Sequence, residues 1–432
     1  MIESDQKSSF FRHSGWLMIA NIAGGLLNYG MHFLQKGVPE KVREQEYGIF
    51  GVFLSVAMVI PTMSLQMVMA HQTALALATN RERELRRLIR RLTFGAFAVW
   101  ALAAVIVLLF QNQILVRWGI NNPAGLWITL IAVLFSIWMP MFWGILQGQQ
   151  NFFPLGWSMI LNGAGRLFLG LVVVLALAHQ GAKVLGSYAA GMMVGVASGM
   201  ALASALAVWH GRSLWHGPSA PFAWRVLAAE AIPPLLVLAA FQFLFTADQM
   251  FVKVYFPDNA GRYFSAGTMS RALIWLVGPL ASVMFPRLVH SAAKAEKTNL
   301  MNVVLAGTAI LAIVGSAGLI VVGPFIVPLI YQPDFVPIVK QVLPWYAAAM
   351  IPLAVANVLL SNLLAKSSFK IVVPLCVLAV GYGWALTRFH KSEVMILQTL
   401  GVANLILLSI CAAFTWAGKA KVPNLDSQVP AT

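Results

Sequence analysis

Charged residues are scarce in this sequence, since Asp, Glu, Lys and Arg make up only 10% of its 432 residues. A soluble domain typically has about 25% charged residues. Hydrophobic residues reach 59%, which is more apolar surface than a soluble fold of this length could remove from water. The composition therefore excludes an ordinary soluble enzyme or binding domain and predicts that lipid is the main solvent.

The sequence also lacks the residue clusters that metal and nucleotide sites need. Its two cysteines, Cys376 and Cys411, lie in apolar runs and are interpreted as small core residues. There is no CxxC, HExxH or P-loop pattern. We therefore expect no cofactor, and we expect any energy to come from an H+ or Na+ gradient, the membrane potential or the substrate's own gradient.

Acidic residues are the scarcer charged class, with 14 Asp and Glu against 29 Lys and Arg. The resulting net charge of +15 would suggest nucleic acid as a partner if the protein were soluble. Here the basic residues lie in short loops between apolar runs, where membrane topology accounts for them. No nucleic-acid-binding signature is present, so we predict no nucleic-acid partner.

Long apolar runs are abundant, and one membrane-spanning helix needs roughly 20 residues. The predicted spans cover residues 14–35, 48–70, 92–111, 124–146, 154–178, 186–209, 226–247, 263–285, 299–322, 338–362, 370–387 and 394–417. Unpaired backbone groups are too costly in lipid, so the spans are expected to be helices. The sequence thus predicts an all-α polytopic membrane protein of about 12 transmembrane helices. The pair Pro233-Pro234 predicts a break in the seventh span.

Lys and Arg are concentrated in alternate loops, which fixes the predicted orientation. The positive-inside rule favours a multi-pass protein of the cytoplasmic (inner) membrane with both termini in the cytoplasm. The densest basic run extends from Arg81 to Arg91. We interpret it as a topology anchor, with binding of anionic lipid head groups as the alternative.

A faint internal repeat relates the second and eighth predicted spans. The second opens with Glu46-Tyr47-Gly48-Ile49-Phe50 and the eighth with Gly261-Arg262-Tyr263-Phe264-Ser265. Aligning them divides the chain into an N-terminal six-helix half, 1–215, and a C-terminal six-helix half, 216–432. Parallel repeats of this kind predict two bundles around a central cavity.

Charged residues inside predicted spans are candidate substrate-cavity groups, because such charges must face a cavity or a partner. Arg166 lies in the first half and Arg271 in the second, and together they could form a cationic cavity that binds phosphate. Asp248 and Lys253 flank the outer end of the seventh span. The alternatives are a structural role for Arg166 and an ion pair of Asp248 with Arg271 or Lys253.

Two further residues are candidates for ion coupling. His71 lies near the predicted cytoplasmic exit of the second span, where a histidine could carry a proton. Glu230 lies at the predicted inner end of the seventh span. An interfacial histidine without a coupling role is the alternative for His71.

Several segments together resemble a known family. They are Glu46–Phe50, Leu146–Phe152, Ala247–Val252, Ala260–Gly267 and Pro279–Arg287. Over nearly its whole length the chain resembles the polysaccharide-transporter (oligosaccharide flippase) branch of the multidrug/oligosaccharidyl-lipid/polysaccharide (MOP) exporter superfamily. The resemblance implies two six-helix bundles in a V shape. It also implies translocation of an undecaprenyl-pyrophosphate-linked oligosaccharide by alternating access, with basic cavity residues meeting the anionic head group.

The resemblance leaves rivals within the superfamily and outside it. A lipid II flippase is one, although such proteins resemble fourteen-span chains. A multidrug antiporter is another, although the family's drug exporters use membrane carboxylates in the first half, and predicted spans one to six have none. A membrane scaffold or glycan-processing enzyme of a polysaccharide synthesis complex is the alternative from a different class. Expected partners are the lipid-linked glycan, membrane lipids and polysaccharide polymerase or synthase components.

Overall fold

A computed structural model describes residues 2–180, 185–222, 224–274, 300–365 and 369–417, and the regular structure in these ranges is helical. Within them, 11 helices are long and apolar enough to cross a membrane. They coincide in position with all of the predicted spans except the eighth, 263–285, which continues beyond residue 274 and so leaves the described residues. The predicted all-α, multi-pass membrane fold is confirmed.

The chain forms two compact units by its internal packing. Unit 1 consists of Met1–Phe264 and Pro328–Phe335, and unit 2 consists of Ser265–Val327 and Val336–Thr432. These bounds are set by contacts, whereas the halves 1–215 and 216–432 come from a sequence repeat. The division into halves stays a prediction.

Most of the described helices belong to unit 1. They are α1 (Ile2–Gly30), α2 (Glu40–Met58), α3 (Thr62–Ala78), α4 (Glu82–Leu109), α5 (Gln111–Arg117), α6 (Ala124–Gly148), α7 (Phe152–Ala164), α8 (Gly170–Gln180), α9 (Tyr188–His210) and α10 (Trp224–Tyr255). A 3-10 segment, Met31–Gly37, follows α1, and a π-helical segment, Gly165–Leu169, joins α7 to α8. Helix α11 covers residues 260–274 and begins in unit 1.

Unit 2 is built around the pairing of two long helices. Its remaining helices are α12 (Leu300–Ile330), α13 (Val336–Ala365), α14 (Val372–Arg388) and α15 (Glu393–Ala417). The buried side chain of Asn404 in α15 donates a hydrogen bond of 2.8 Å to the carbonyl of Ala349 in α13. Such polar contacts join transmembrane helices because lipid offers no competing partner.

The second span differs from its prediction at both ends and in the middle. Its first helix begins at Glu40, eight residues before the predicted start at 48, and it is interrupted between Met58 and Thr62. Pro61 lies in this interruption and cannot donate a backbone hydrogen bond. The amide of Gln242 in α10 donates to the Met58 carbonyl at 2.9 Å, which satisfies one backbone group at the interruption.

The predicted break at Pro233-Pro234 is wrong. Helix α10 continues through both prolines from Trp224 to Tyr255. Prolines are tolerated inside membrane helices when neighbouring groups satisfy the freed carbonyls.

Candidate functional site

Arg166 lies where the fifth span changes its helical geometry. It is the second residue of the π-helical segment Gly165–Leu169. Single π-helical turns inside α-helices occur frequently at functional sites. The side chain of Arg166 is half-buried, and its Nε donates a hydrogen bond of 3.1 Å to Oδ1 of Asn162, one turn earlier.

Glycines of α9 hold the backbone around Arg166 in place. Gly191, Gly195 and Gly199 recur every four residues along α9 and face α7, the π-helical segment and α8. A Cβ atom at Gly195 would lie 2.5 Å from the Arg166 carbonyl oxygen, and one at Gly199 would lie 2.3 Å from the Asn162 carbonyl oxygen. Only glycine allows membrane helices to approach this closely. We name these three residues the glycine seam; their four-residue spacing was the sequence signal that could have found it.

The guanidinium of Arg166 is available for a ligand. Among the described residues, Asn162 supplies the hydrogen bond to Nε, and the two terminal nitrogens have neither a hydrogen-bond acceptor nor an ion-pair partner. An arginine stays charged and presents its donors as a planar fork that matches a phosphate or carboxylate. An unpaired charge at membrane depth is costly unless it faces a polar cavity or a ligand. This arrangement can therefore bind an anion.

A buried polar and aromatic cluster lies close to Arg166. His32 follows α1 in the 3-10 segment, and its Nδ1 lies 2.8 Å from the hydroxyl of Tyr47. The charge of Arg166 acts on the His32 ring. Phe264 and Tyr331 pack against Tyr47, with ring centroids 5.0 and 5.6 Å away. Burial raises the pKa of the Tyr331 hydroxyl well above its usual value, so this group stays protonated.

Asp248 and Lys253 are both buried, and the predicted ion pair between these two residues is not found among the described residues. Asp248 is fully buried, and the hydroxyl of Tyr263 donates to its Oδ2 at 3.0 Å. Lys253 is also buried, and among the described residues it forms no ion pair with Asp248; instead the carboxylates of Glu46 and Asp258 act on its charge. The motif residues Asp248 and Tyr263 thus form one buried hydrogen-bonded pair.

Glu46 has a structural task of its own at the start of α9. Its Oε2 accepts hydrogen bonds from the Ser187 hydroxyl at 2.8 Å and from the Ala189 amide at 2.7 Å. A carboxylate at this position satisfies helix N-terminal donors and favours the helix dipole.

Arg271 belongs to unit 2 and is buried there. Its guanidinium carbon lies 5.4 Å from the ring centroid of Tyr346, which is a cation–π contact. Arg166 belongs to unit 1, so a cavity formed jointly by the two arginines stays a prediction.

Of the two candidate coupling residues, His71 has a described side chain and Glu230 does not. His71 is exposed on α3 and has no hydrogen-bond partner among the described residues. Glu230 lies within the range of α10, but its side chain is outside the described part of the chain. Their role in ion coupling stays a prediction.

The second and third turns of α2 and the first turn of α11, which belong to the two segments that the sequence repeat aligns, meet in unit 1. A Cβ atom at Gly48 would lie 2.9 Å from the Gly261 nitrogen, and one at Gly261 would lie 2.4 Å from the Glu44 carbonyl oxygen. Beside this contact, a terminal nitrogen of Arg262 lies 2.7 Å from Glu44 Oε2 and 3.8 Å from Asp334 Oδ2. We name Glu44, Gly48, Gly261 and Arg262 the outer seal, because the predicted topology places them on the outer side.

A polar cavity of about 520 Å³ opens beside the outer seal. Lys36, Arg43, Glu40 and Asp334 line it with charges of both signs. Arg43 donates to the carbonyl of Val38 at 2.9 Å. Lys36 caps α12 by donating to the carbonyl of Leu329. The lysine and arginine of this cavity are thus already engaged in holding the fold.

No protein-family model and no curated protein sequence matches this chain. Solved structures of membrane transporters share its fold, and three examples follow. An inward-facing multidrug resistance MATE family transporter of the MOP superfamily is 12% identical, with coverage of 91% of this chain and 93% of that one and a TM-score of 0.63. The lipid II flippase MurJ in an inward closed conformation is also 12% identical, with 94% and 88% coverage and a TM-score of 0.67. The eukaryotic MATE transporter AtDTX14 is 13% identical, with 95% and 97% coverage and a TM-score of 0.62.

Proposed function

We propose that this protein is a flippase that moves a lipid-linked, anionic oligosaccharide across the cytoplasmic membrane by alternating access. The substrate class is an undecaprenyl-pyrophosphate-linked precursor of a polysaccharide. The observation that carries the proposal is the guanidinium of Arg166, held inside the fifth span with both terminal nitrogens unpaired among the described residues. The fold shared with MATE transporters and with MurJ supports a transporter.

The proposal of an anionic substrate follows from the balance of available charge in unit 1. The carboxylates of Glu44 and Glu46 in α2 are already used, because Glu44 pairs with Arg262 and Glu46 caps α9. Asp248 accepts a hydrogen bond from Tyr263. The cation at Arg166 therefore has no internal carboxylate bonded to it, and a guanidinium fork binds phosphate groups in a bidentate manner. A cationic drug would be repelled from this position.

In the proposed cycle, the substrate site opens first to the cytoplasm and then to the outside. The pyrophosphate head enters from the cytoplasmic side and binds Arg166, with Arg271 as the proposed second contact from unit 2. The lipid tail stays in the bilayer. The outer seal then opens and the head group is released outside. The proposed energy source is an H+ or Na+ gradient, for which His71 and Glu230 are the candidate coupling residues.

Location and partners complete the proposal. We place the protein in the inner membrane with both termini in the cytoplasm, which the excess of Lys and Arg in the alternate loops supports. The polymerase or synthase components that consume the flipped precursor are its proposed protein partners. This protein itself carries out no bond-forming step in the proposal.

The test compares lipid extracts from a deletion strain and its parent by mass spectrometry. The expected result is accumulation of a pyrophosphate-linked oligosaccharide that is protected from external enzymes until the membrane is opened. A plasmid carrying the wild-type chain should clear it, Arg166→Gln should not, and Arg117→Gln should, because Arg117 is exposed and lies outside the site. A deletion strain with normal lipids and a drug-efflux defect would contradict the proposal.

A lipid II flippase is the second candidate, favoured by the likeness to MurJ. The same extracts separate the two functions, because the accumulated lipid would then carry the peptide-bearing disaccharide of the cell wall. The mass of the accumulated species decides between them.

A further inference from the structure

The basic run Arg81–Arg91 divides into arginines that hold the fold and arginines that do not. Arg90 donates to the carbonyls of Trp215 and Gly217 at 2.9 and 3.0 Å. The guanidinium of Arg91 lies 5.9 Å from the ring centroid of Trp224. Arg86 pairs with Glu82 at 3.1 Å. Arg90 and Arg91 thus fasten the start of α4 to the segment before α10 and to the first residue of α10, and Arg86 is engaged within α4 itself.

The other three arginines have no such task. The side chains of Arg81, Arg83 and Arg87 form neither a hydrogen bond nor an ion pair within the part of the chain that the structure describes. Arg81 and Arg83 are exposed and line a cavity of about 360 Å³, together with Arg86, Asn80 and Ala220. Glu82 and Glu84 also line it, but Glu82 is already neutralised by Arg86.

The predicted topology places this cavity on the cytoplasmic side of the membrane. Trp215 and Trp224 contact Arg90 and Arg91 of the same basic run, and tryptophan concentrates where membrane meets water. Arg83, Arg87 and Phe94 are spaced along one face of α4. Phe94 is 69% exposed, and Phe97 beside it is 42% exposed, so the apolar continuation of this face is open to lipid.

We propose that this cavity binds the phosphate head group of an anionic membrane lipid. The guanidinium groups of Arg81 and Arg83, which line the cavity, meet the phosphate oxygens. Arg87, one turn further along α4, adds positive charge beside them, and the acyl chains lie along Phe94. A topology signal requires only that positive charge stays near the membrane surface. It does not account for a cavity, nor for three unpaired guanidinium groups above an exposed apolar face. This inference does not depend on the proposed transport function.

The test measures lipid binding to the detergent-solubilised full chain by native mass spectrometry. Phosphatidylglycerol and phosphatidylcholine with identical acyl chains are titrated against wild type, against Arg81→Gln/Arg83→Gln/Arg87→Gln, and against a control. The control, Arg117→Gln/Lys340→Gln/Lys391→Gln, removes the same charge from exposed positions on the predicted opposite side.

The wild type should prefer phosphatidylglycerol, and the first variant should bind it roughly tenfold more weakly or worse, since each basic residue near the surface contributes to binding. The control should retain wild-type binding within about twofold. Equal binding of both lipids by the wild type, or equal losses in the two variants, would overturn the site.

Inorganic phosphate added at equal concentration should not displace the lipid. Displacement would show a site for a soluble anion instead.

A fourth protein distinguishes a folding defect from a specific loss of lipid binding. Arg90→Gln removes the contacts to Trp215 and Gly217 and should lower the melting temperature while keeping the preference for phosphatidylglycerol. Loss of the preference in this variant to the same extent as in the first would contradict the division into fastening and lipid-binding arginines.

Discussion

Glu44 and Arg262 form an ion pair of 2.7 Å that joins the second turn of α2 to the first turn of α11. The two side chains are 22% and 25% exposed, so water screens the pair only in part. Next to it, Gly48 and Gly261 bring the two backbones into direct contact. One charge pair and one glycine contact thus join α2 to α11 at the outer seal.

Exchange of the two charges tests the ion pair. Glu44→Arg alone and Arg262→Glu alone each place like charges together and should lower both the melting temperature and transport. The double variant Glu44→Arg/Arg262→Glu restores opposite charges and should recover most of the loss. We expect a coupling free energy of about 1 kcal/mol from the double-mutant cycle. Additive losses would mean that the two side chains do not interact in the membrane.

A cross-link tests whether the seal must open. A Cβ atom at Gly48 would lie 3.1 Å from the Cβ of Ala260, so a disulfide, with a Cβ–Cβ distance of about 3.5–4.5 Å, would form after the two backbones separate by a few tenths of an ångström. In a background with Cys376→Ala and Cys411→Ala, Gly48→Cys/Ala260→Cys should transport when reduced and stop when oxidised. Each single cysteine variant is the control. Full activity of the oxidised double variant would show that the seal stays closed throughout the cycle.

Arg166 should be needed for substrate and not for stability. Arg166→Gln should reduce clearance of the accumulated lipid by roughly 10- to 100-fold, because hydrogen bonds to charged groups contribute about 1.5–3 kcal/mol each. Arg166→Lys should be intermediate, since it keeps the charge but loses the planar fork. The melting temperatures of all three proteins should agree. A large fall in melting temperature for Arg166→Gln would instead assign a structural role.

The glycine seam should be intolerant of a single methyl group. Gly195→Ala places a carbon 2.5 Å from the Arg166 carbonyl oxygen, which forces the helices apart. Overpacking of this kind typically costs about 1–3 kcal/mol, and the displaced π-helical segment should also weaken transport. Gly95→Ala is the matched control, because nothing lies within 4 Å of its added Cβ. Equal stability of the two variants would mean that α9 does not pack as described.

Hydropathy was sufficient to locate the spans, because the cost of unpaired backbone in lipid leaves helices as the default. It misplaced the start of α2, since Glu40, Glu44 and Glu46 lower the local hydropathy although they lie in the helix. The charges of Glu44 and Glu46 are satisfied by groups distant in sequence, Arg262 and the start of α9. Pairings of that kind cannot be recognised from hydropathy.

The π-helical segment around Arg166 shows a second limit of the sequence. Arg166 was selected because a charge inside a span is rare. The local geometry depends on where Gly195 and Gly199 of a different helix contact it. An ion pair of Asp248 with Lys253 was considered because the two residues are close in the chain, whereas the observed hydrogen-bond partner of Asp248 is Tyr263 of α11, a different helix.

The interruption between Met58 and Thr62 divides the second span into two helices, α2 and α3. We call this short non-helical segment the joint. On the predicted cytoplasmic side of the joint, α3 packs closely against α6. An added Cβ atom at Gly144 would lie 2.4 Å from the Gln66 carbonyl oxygen, and one at Gly148 would lie 2.6 Å from the Ala70 carbonyl oxygen. Above it, α2 carries its share of the outer seal. A tilt of α2 can therefore be absorbed by rotation of a few backbone bonds at the joint. In the proposed cycle, the joint is therefore the point at which the outer part of the span would bend relative to α3.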